Sequence, residues 1–352
     1  MTPISDPNPT ANPLLKIGIY NITELQAYNA KTARQEYLVE GLIAQQSLTL
    51  AVGDSNRGKS PFFYQMAICV AAGVPFLGLP VKRGRVLYID AENSTGQVEH
   101  LVTTLAGYVG LPEVPSDLLL FNMNNCPENY EVENLVNQAR PTLVVLDPIY
   151  ALFRDIEENA KAVTEAYSKL RRLMKICGCS HIGVHHPNKE TDRPDAPKRQ
   201  PLDKISDVRQ WFIRARGSGA LINGCDTRLA FDIPSTTGDC KLVVGGYARV
   251  RGALPMMRLA RDVDTEGEPR GYRRLSGVQL LKPEWRETYA QLPDGDFHFK
   301  DVKPLLKDSA DATANFLKAC VAADILEHDL TVKPKGVYRK KLKTVPDLAD
   351  AA

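Results

Sequence analysis

The sequence predicts an α/β protein with a mostly parallel sheet flanked by helices, followed by a small separate unit near the C-terminus. Three observations carry this. From about Leu42, short and almost wholly apolar runs alternate with helix-length segments, the pattern of strands buried on both faces and joined by crossover helices. Acidic and other polar residues collect where these runs end, the edge at which open α/β sheets hold ligands. Beyond residue 296 the pattern changes to short helices and a basic hairpin. The chain of 352 residues, 43% apolar and 24% charged, is long enough for two domains and excludes global disorder, collagen and coiled coil.

Taken in order, Met1 to Pro13 is polar and rich in Pro, Asn and Thr, without the basic and apolar regions of a signal peptide. Residues 1–36 are read as an N-terminal arm. The predicted strands are Ser47–Gly53, Arg85–Glu92, Thr142–Asp147 and His181–His186, and the predicted helices Gln97–Tyr108, Val132–Ala139 and Ala160–Ile176. Phe62 to Val81 approaches membrane-span length but is broken by Gln65, Gly73, Pro75, Gly78 and Pro80, so it reads as a buried helix and a loop. Residues 187–207 are Pro-rich and highly charged, the composition of a mobile loop. Strand-like runs at Arg228–Ile233, Lys241–Val250 and Arg274–Leu281 complete a domain over 37–282, residues 283–296 read as a linker, and 297–345 as the small unit. Lys and Arg number 44 against 42 Asp and Glu, so no whole-molecule field points to a polyanion. Seven Cys at irregular spacing fit a reduced compartment. Cys177 and Cys179 read as buried thiols, and the protein as soluble and cytoplasmic, with no membrane partner.

Gly53-Asp54-Ser55-Asn56-Arg57-Gly58-Lys59-Ser60 matches G-x-x-x-x-G-K-[ST], between a predicted strand and a predicted helix. The glycines let the backbone wrap a phosphate chain, successive N–H groups face the anion, and the helix adds its positive end. Lys59 would reach the β- and γ-phosphates of ATP, and Ser60 would ligate Mg²⁺. Pro61 falls in the first helical turn, where its missing N–H costs little. Asp147 ends an apolar strand, as an acid that helps hold Mg²⁺ should. At the end of the second strand stand Asp90 and Glu92. One is expected to cap the next helix, and Glu92, nearer the tip, to activate water as general base. His185 and His186 end the fourth strand and point to opposite faces, a poor chelate; one contacts the γ-phosphate and the other packs.

This order, with His185-His186-Pro187-Asn188-Lys189 and Arg216-Gly217-Ser218-Gly219-Ala220-Leu221 beyond the loop, resembles the RecA-like hexameric ATPases, nearest to plasmid RepA-type replicative helicases. The similarity covers about Tyr37 to Leu281. It implies a RecA-like P-loop NTPase core, a homo-oligomeric ring (a hexamer), ATP and Mg²⁺ between subunits, and single-stranded DNA through the channel. It implies also that His186 senses the γ-phosphate and that Arg216 lies near the channel or acts in trans. Arg249-Val250-Arg251 is similar to the family's basic-x-Arg pair that reaches a neighbour's γ-phosphate; whether Arg216 or Arg251 is the finger stays open. A guanidinium is also what transition-state charge on a phosphoryl group calls for.

The chain continues beyond where the simplest RepA-type helicases end. Val302–Lys307, a turn over Asp308–Thr313, a helix over Ala314–Ala323 and a basic hairpin from Leu330 resemble a winged helix. Lys333, Lys335, Arg339, Lys340 and Lys341 would meet the phosphates of duplex DNA, and the helix from Thr313 would face the groove. The expected function is a Mg²⁺-dependent ATP-hydrolysing ring motor on single-stranded DNA, a replicative helicase of a plasmid or mobile element. A nucleotide-switched DNA-binding or assembly ATPase that does not unwind is the alternative. A small-molecule kinase, the third reading, lacks a recognisable lid.

Overall fold

The structure is a computed structural model and describes residues 19, 21–31, 36–125, 130–153, 155–156, 159–186, 200–214, 219–235, 238–249, 252–332 and 336–341. Contacts divide the chain into two units, Met1–Glu36 and Tyr37–Ala352. In the first, helix α1 (Ile22–Lys31) starts with reciprocal bonds: the Glu24 N–H donates to the Asn21 side chain at 2.9 Å, and the Asn21 N–H to the Glu24 carboxylate at 2.8 Å.

In the second unit a small β1–β2 pair (Tyr37–Val39, Ile43–Ala44) precedes the main sheet. The chain then runs β3 (Leu48–Val52), α2 (Lys59–Ala72), β4 (Val86–Asp90), α3 (Thr95–Tyr108), β5 (Leu118–Asn122) and α4 (Val132–Ala139). It continues through β6 (Leu143–Asp147), α5 (Ala160–Cys177), β7 (Ser180–His185), α6 (Val208–Arg214) and α7 (Gly219–Gly224), then β8 (Thr227–Asp232), β9 (Leu242–Ala248), β10 (Gly252–Val263) and β11 (Pro269–Arg274). The nine strands stand in the order β11-β10-β9-β8-β3-β7-β6-β4-β5. The six from β8 to β5 are parallel, and β9, β10 and β11 extend them antiparallel. This is the mostly parallel, helix-flanked sheet that the alternating pattern predicts. Strands β3, β4, β6, β7 and β8 are buried at every residue, because helices cover both faces: α2 and α3 one, α4 and α5 with the α6–α7 segment the other.

Helix α2 explains the long apolar run around Phe62. It is buried almost all round, from Phe62 to Ala71, so its sequence has no polar stripe. Phe62 meets Phe63, Phe76 and Phe231 edge-to-face with ring centroids 5.0–5.2 Å apart, each contact worth about 0.5–1.5 kcal/mol beyond area burial. Among the described residues no helix is long and apolar enough to cross a membrane. Gln65, the polar residue inside this helix, is 3% exposed and treats the edge strand β11 as another strand would. Its side chain donates to the Tyr272 carbonyl at 2.9 Å and accepts from the Tyr272 N–H at 2.8 Å.

Several expectations need correction. Arg274–Leu281 is not a strand: β11 ends at Arg274, and a 3₁₀ turn over Gly277–Leu280 follows, started by a Ser276–Gln279 capping box. The longest strand, β10, was hidden by Pro255. The register of β10 on β9 shifts between Leu254 and Met257, and this bulge accommodates a residue that cannot donate to the ladder. Cys179 is buried, but Cys177 is only half-buried at the end of α5. The expected loop 187–207 lies largely outside the described residues; its last part carries a 3₁₀ turn, Leu202–Lys204, with Leu202 buried.

The stretch 283–296, expected as a linker, carries helix α8 (Pro283–Ala290). Glu284 and Glu287 are exposed, while Trp285 and Tyr289 pack on a core of Leu281, Leu292, Phe297, Phe316, Leu317 and Cys320. The Trp285 ring meets Phe316 edge-on at 5.8 Å. Then come α9 (Phe299–Val302), a 3₁₀ turn at Lys303–Leu306, α10 (Ala310–Ala322), β12 (Leu326–Asp329) and β13 (Val337–Lys340). Helix α10 starts four residues before the predicted Ala314, because the Ser309 hydroxyl caps it by accepting the Ala312 N–H at 3.2 Å. Thr313, expected at the start of a groove-facing helix, is fully buried instead, and its hydroxyl donates to the Ser309 carbonyl at 2.7 Å.

Replacing Gln65 by Leu leaves two buried backbone groups of β11 unpaired. We expect Gln65→Leu to lower unfolding stability by about 2–4 kcal/mol, read from urea titrations. A loss below about 0.5 kcal/mol, the range of an ordinary surface change, would show that β11 does not depend on this side chain.

Candidate functional site

The parallel strands end together at one edge of the sheet. Val52 pairs with His185 and Asp90 with Asp147 in the strand register, so four strand ends deliver their last residues to one place. The chain leaves β3 for α2 and returns at β4, with β7 and β6 filling the gap, and ligands of open α/β sheets bind beside such a crossing. Residues Gly53–Ser60 wrap the N-terminus of α2. Asn56 and Gly58 take positive φ of 59° and 76°. A Cβ on Gly58 would lie 1.8 Å from the Tyr272 hydroxyl, and one on Gly53 would lie 2.7 Å from the Phe231 carbonyl oxygen. Gly58 is therefore required twice, by the loop's path and by its close neighbour, and Gly53 by its neighbour alone.

Lys59 is 3% exposed. Its ammonium donates to the Gly53 and Asp54 carbonyls, each at 2.7 Å. Burial pushes its pKa down to about 8, against the pull of Asp147, Asp54 and Glu92, so it remains cationic at neutral pH. Asp54 also faces the Arg57 guanidinium at 3.6 Å. Ser55 and Asn56 are exposed at the loop's tip.

Asp147 is 1% exposed, and burial pushes its pKa up to about 6, opposed by the Tyr88 and Ser60 hydroxyls. Its Oδ2 accepts from Tyr88 at 2.6 Å, while Oδ1 is buried without a hydrogen-bond partner. A buried carboxylate oxygen left open beside a serine hydroxyl, an ammonium and the amino end of a helix fits a hard divalent cation with a phosphate chain. Mg²⁺ and a nucleoside triphosphate are therefore compatible with the residues present: Ser60 and Asp147 would hold the ion and Gly53–Ser60 the phosphates. Among the described residues no cluster of three His, Cys, Asp or Glu offers a cage made by the protein alone.

Asp90 is saturated. Its Oδ1 accepts the Glu92 and Asn93 N–H groups at 2.9 and 2.8 Å, and its Oδ2 accepts from Tyr64 at 2.6 Å and from the Asn93 amide at 2.8 Å. It braces the turn that carries Glu92, while Ser94 and Gln97 form the capping box of α3. Glu92 is partly exposed and meets His186: Nε2 lies 3.4 Å from its Oε1. Burial and the Lys59 charge hold His186 below the ordinary imidazole value, with Glu92 pulling the other way. His185, on the buried side, is pushed down to about 4 by burial.

The site thus brings together the loop, Lys59, Ser60, Asp147, Glu92 and His186. Arg249 is elsewhere. It follows β9 at the amino ends of the parallel strands, and its guanidinium donates to the Asn223 carbonyl at 2.9 Å. Arg216 and Arg251 lie outside the described residues. Sequence reasoning missed three tyrosines. Tyr150 donates to Glu92 Oε1 at 3.0 Å; Tyr64 and Tyr88 hold Asp90 and Asp147. The signal for Tyr88 was its place two residues before Asp90, hence on the same strand face. Tyr150 stands three residues after Asp147, in a 3₁₀ turn over Ile149–Ala151 too short to show a periodicity.

A family profile described as "AAA domain" matches residues 19–192, just under half of the chain and all of the strand ends described above. That stretch is similar to an AAA domain. No curated protein sequence matches the chain. Among solved structures, one titled "Crystal structure of the RadB recombinase" is similar, with 19% identity and a TM-score of 0.41, over 66% of this chain and 92% of that one.

Two buried imidazoles on β7 weaken the fold in acid. Burial pushes His181 down to about 3 and His185 to about 4, from an ordinary 6.5. Below about pH 6.5 the unfolded chain binds protons at these two sites that the folded chain does not, so their contribution to stability is full above about pH 6.5 and is lost as the pH drops. At pH 5 each imidazole costs about 2 kcal/mol. We expect His181→Leu to lessen the fall in urea stability between pH 7 and pH 5 by about 2 kcal/mol. An unchanged slope would mean that His181 is protonated in the fold.

Proposed function

We propose that this protein is a Mg²⁺-dependent ATP hydrolase that assembles into a ring, read as a hexamer, and moves on single-stranded DNA as a replicative-type helicase of a plasmid or mobile element. The observation that carries the hydrolase part is the open, buried Asp147 oxygen beside Lys59 and Ser60, with Glu92 and His186 across the same strand ends. In this reading the loop N–H groups and Lys59 bind the β- and γ-phosphates, and Ser60 and Asp147 provide oxygens for the cation. The chemistry a divalent cation supplies when bound is neutralisation of charge on the phosphate oxygens. Glu92 accepts a proton from the attacking water, and Tyr150 and His186 hold its Oε1 so that the carboxylate keeps one orientation. His186, kept neutral by burial and Lys59, can donate to or accept from the γ-phosphate region without adding a fixed charge.

The ring follows from what one chain cannot supply. Arg249 lies at the opposite end of the sheet from its own phosphate loop, so a role for it at a γ-phosphate requires a neighbouring subunit. Arg251 or Arg216 as finger carries the same requirement under the family resemblance. The action on DNA rests on that resemblance, and the match to an AAA domain profile supports the ATPase part of the reading.

The alternative, a nucleotide-switched factor binding duplex DNA, is favoured by the C-terminal unit. Helix α8, a single strand bridge of Phe297 to Tyr338, α9, α10 and the β12–β13 hairpin follow one another in winged-helix order. Its charges weigh the other way. Arg339 is paired with Asp296, Lys340 with Asp294 and Lys341 with Asp324, and Lys333 and Lys335 lie outside the described residues. The exposed positions of α10 are Ala310, Asp311, Ala314, Asn315, Lys318, Val321 and Ala322, with a single cation among them. Three of the five expected phosphate contacts thus already hold carboxylates.

Steady-state ATP hydrolysis with and without single-stranded DNA, with Lys59→Ala as blank, decides between these readings. The motor reading expects about a 3- to 10-fold stimulation by DNA, abolished in the variant, a ratio equivalent to about 0.7–1.4 kcal/mol of barrier. Hydrolysis indifferent to DNA would end it and leave the switch, to be followed by nucleotide-dependent duplex binding.

A further inference from the structure

We propose that Tyr88 and Tyr64 are a pair of positioning residues that assign separate tasks to the two acidic strand ends. The Tyr88 hydroxyl fixes the carboxylate of Asp147 so that one oxygen faces the cation, and the Tyr64 hydroxyl secures Asp90 and, through it, the turn presenting Glu92. The inference rests on the reading of the site as a Mg²⁺-nucleotide site.

Both tyrosines are fully buried. Their rings stack with centroids 3.8 Å apart and planes within 8°. Tyr64 comes from α2, the helix that begins at the phosphate loop, and Tyr88 from β4. Asp90 and Asp147 are paired neighbours on β4 and β6, two like charges that, left to themselves, would share any nearby donor or cation. Each instead receives one phenol at 2.6 Å, Tyr64 on Asp90 and Tyr88 on Asp147. What remains differs sharply. Asp90 takes three more hydrogen bonds from Glu92 and Asn93 and has no oxygen to spare. Asp147 accepts the Tyr88 hydroxyl on Oδ2, feels the Ser60 hydroxyl nearby, and keeps Oδ1 without a hydrogen-bond partner. A carboxylate held by one oxygen loses rotation about its last torsion, so the other oxygen is pre-aimed, which is how outer partners commonly tune a metal ligand. The turn held by Asp90 is secured again from β5, whose Asn122 amide donates to the Asn93 carbonyl at 2.7 Å. Because the two rings lie face to face, movement of α2 at the phosphate loop reaches both carboxylates together.

The test is binding of a fluorescent ATP analogue, titrated with Mg²⁺ and separately measured in EDTA, for the wild type and for Lys59→Ala, Tyr88→Phe, Tyr64→Phe and Tyr167→Phe. Tyr167 is the control: another buried phenol, donating at 2.8 Å to the Leu221 carbonyl and remote from the carboxylates. Tyr88→Phe is expected to raise the Mg²⁺ concentration at half-saturation by about 10-fold, with affinity in EDTA within about two-fold of wild type. Tyr64→Phe and Tyr167→Phe are expected to keep the wild-type Mg²⁺ dependence. Tyr64→Phe alone of these two should lower turnover at saturating Mg²⁺, by about 10-fold, as the turn carrying Glu92 loosens. A Mg²⁺ dependence for Tyr88→Phe equal to that of Tyr167→Phe, in a protein whose wild type responds to Mg²⁺, overturns the proposal and leaves the hydrolase reading intact. A wild type that binds no nucleotide, or binds it equally with Lys59→Ala, overturns both. Binding in EDTA reports whether each variant folds. If Tyr88→Phe does not, Tyr64→Phe decides: lost turnover at unchanged Mg²⁺ dependence supports the division of tasks, and a shifted Mg²⁺ dependence refutes it.

Discussion

The site depends on keeping Lys59 and Asp147 charged within a core that excludes water. Burial opposes ionisation of both, pushing the lysine down to about 8 and the aspartate up to about 6, and isolated charges could not persist there. They persist because each leans on polar groups that the fold aims at it: loop carbonyls on the ammonium, hydroxyls on the carboxylate. The incomplete solvation that remains is the binding capacity of the site. A phosphate chain with a divalent cation would offer Lys59 an anion and Asp147 a cation, satisfying what the protein leaves open.

That arrangement ties elements far apart in sequence to the phosphate loop. Gly53 is crowded by Phe231 of β8 and Gly58 by Tyr272 of β11, while Gln65 of α2 pairs with the backbone of Tyr272. The antiparallel extension of the sheet is thus built against the helix that carries the loop. A change in loop conformation on binding phosphate would press on β11, and β11 leads directly into the C-terminal unit through Leu275 and the turn at Gly277. Arg286 of α8 closes the same junction by pairing with Asp239 at 2.6 Å and donating to the Gln279 carbonyl at 2.9 Å. The unit at the end of the chain therefore sits within reach of events at the nucleotide site, through packed elements rather than through a flexible linker.

The C-terminal unit also shows how charge counted along a chain differs from charge available to a partner. A run of Arg339, Lys340 and Lys341 reads as a basic wing, yet three aspartates from two separate segments meet it in space. Exposed pairs of this kind add little stability, but they reduce the field that a polyanion would encounter.

Much of this protein was legible in its sequence, for identifiable reasons. Strands buried on both faces must be apolar throughout, and a phosphate loop needs glycine, lysine and serine at set spacings, so β3, β4, β6, β7 and β8, the helices α3 to α5, and Gly53–Ser60, Glu92, Asp147 and His186 all left local marks. Tertiary structure alone decided the rest. Strand β10 was concealed by a proline that a bulge absorbs, α8 by charges that hid an apolar face, and the tyrosines of the site by looking like ordinary core residues. Their roles come from which carboxylates their hydroxyls meet, 26 residues away for Tyr64 and 59 for Tyr88. Periodicity and spacing record what a residue needs from its neighbours in the chain; a hydrogen bond between distant segments exists only once the sheet has brought them to the same edge.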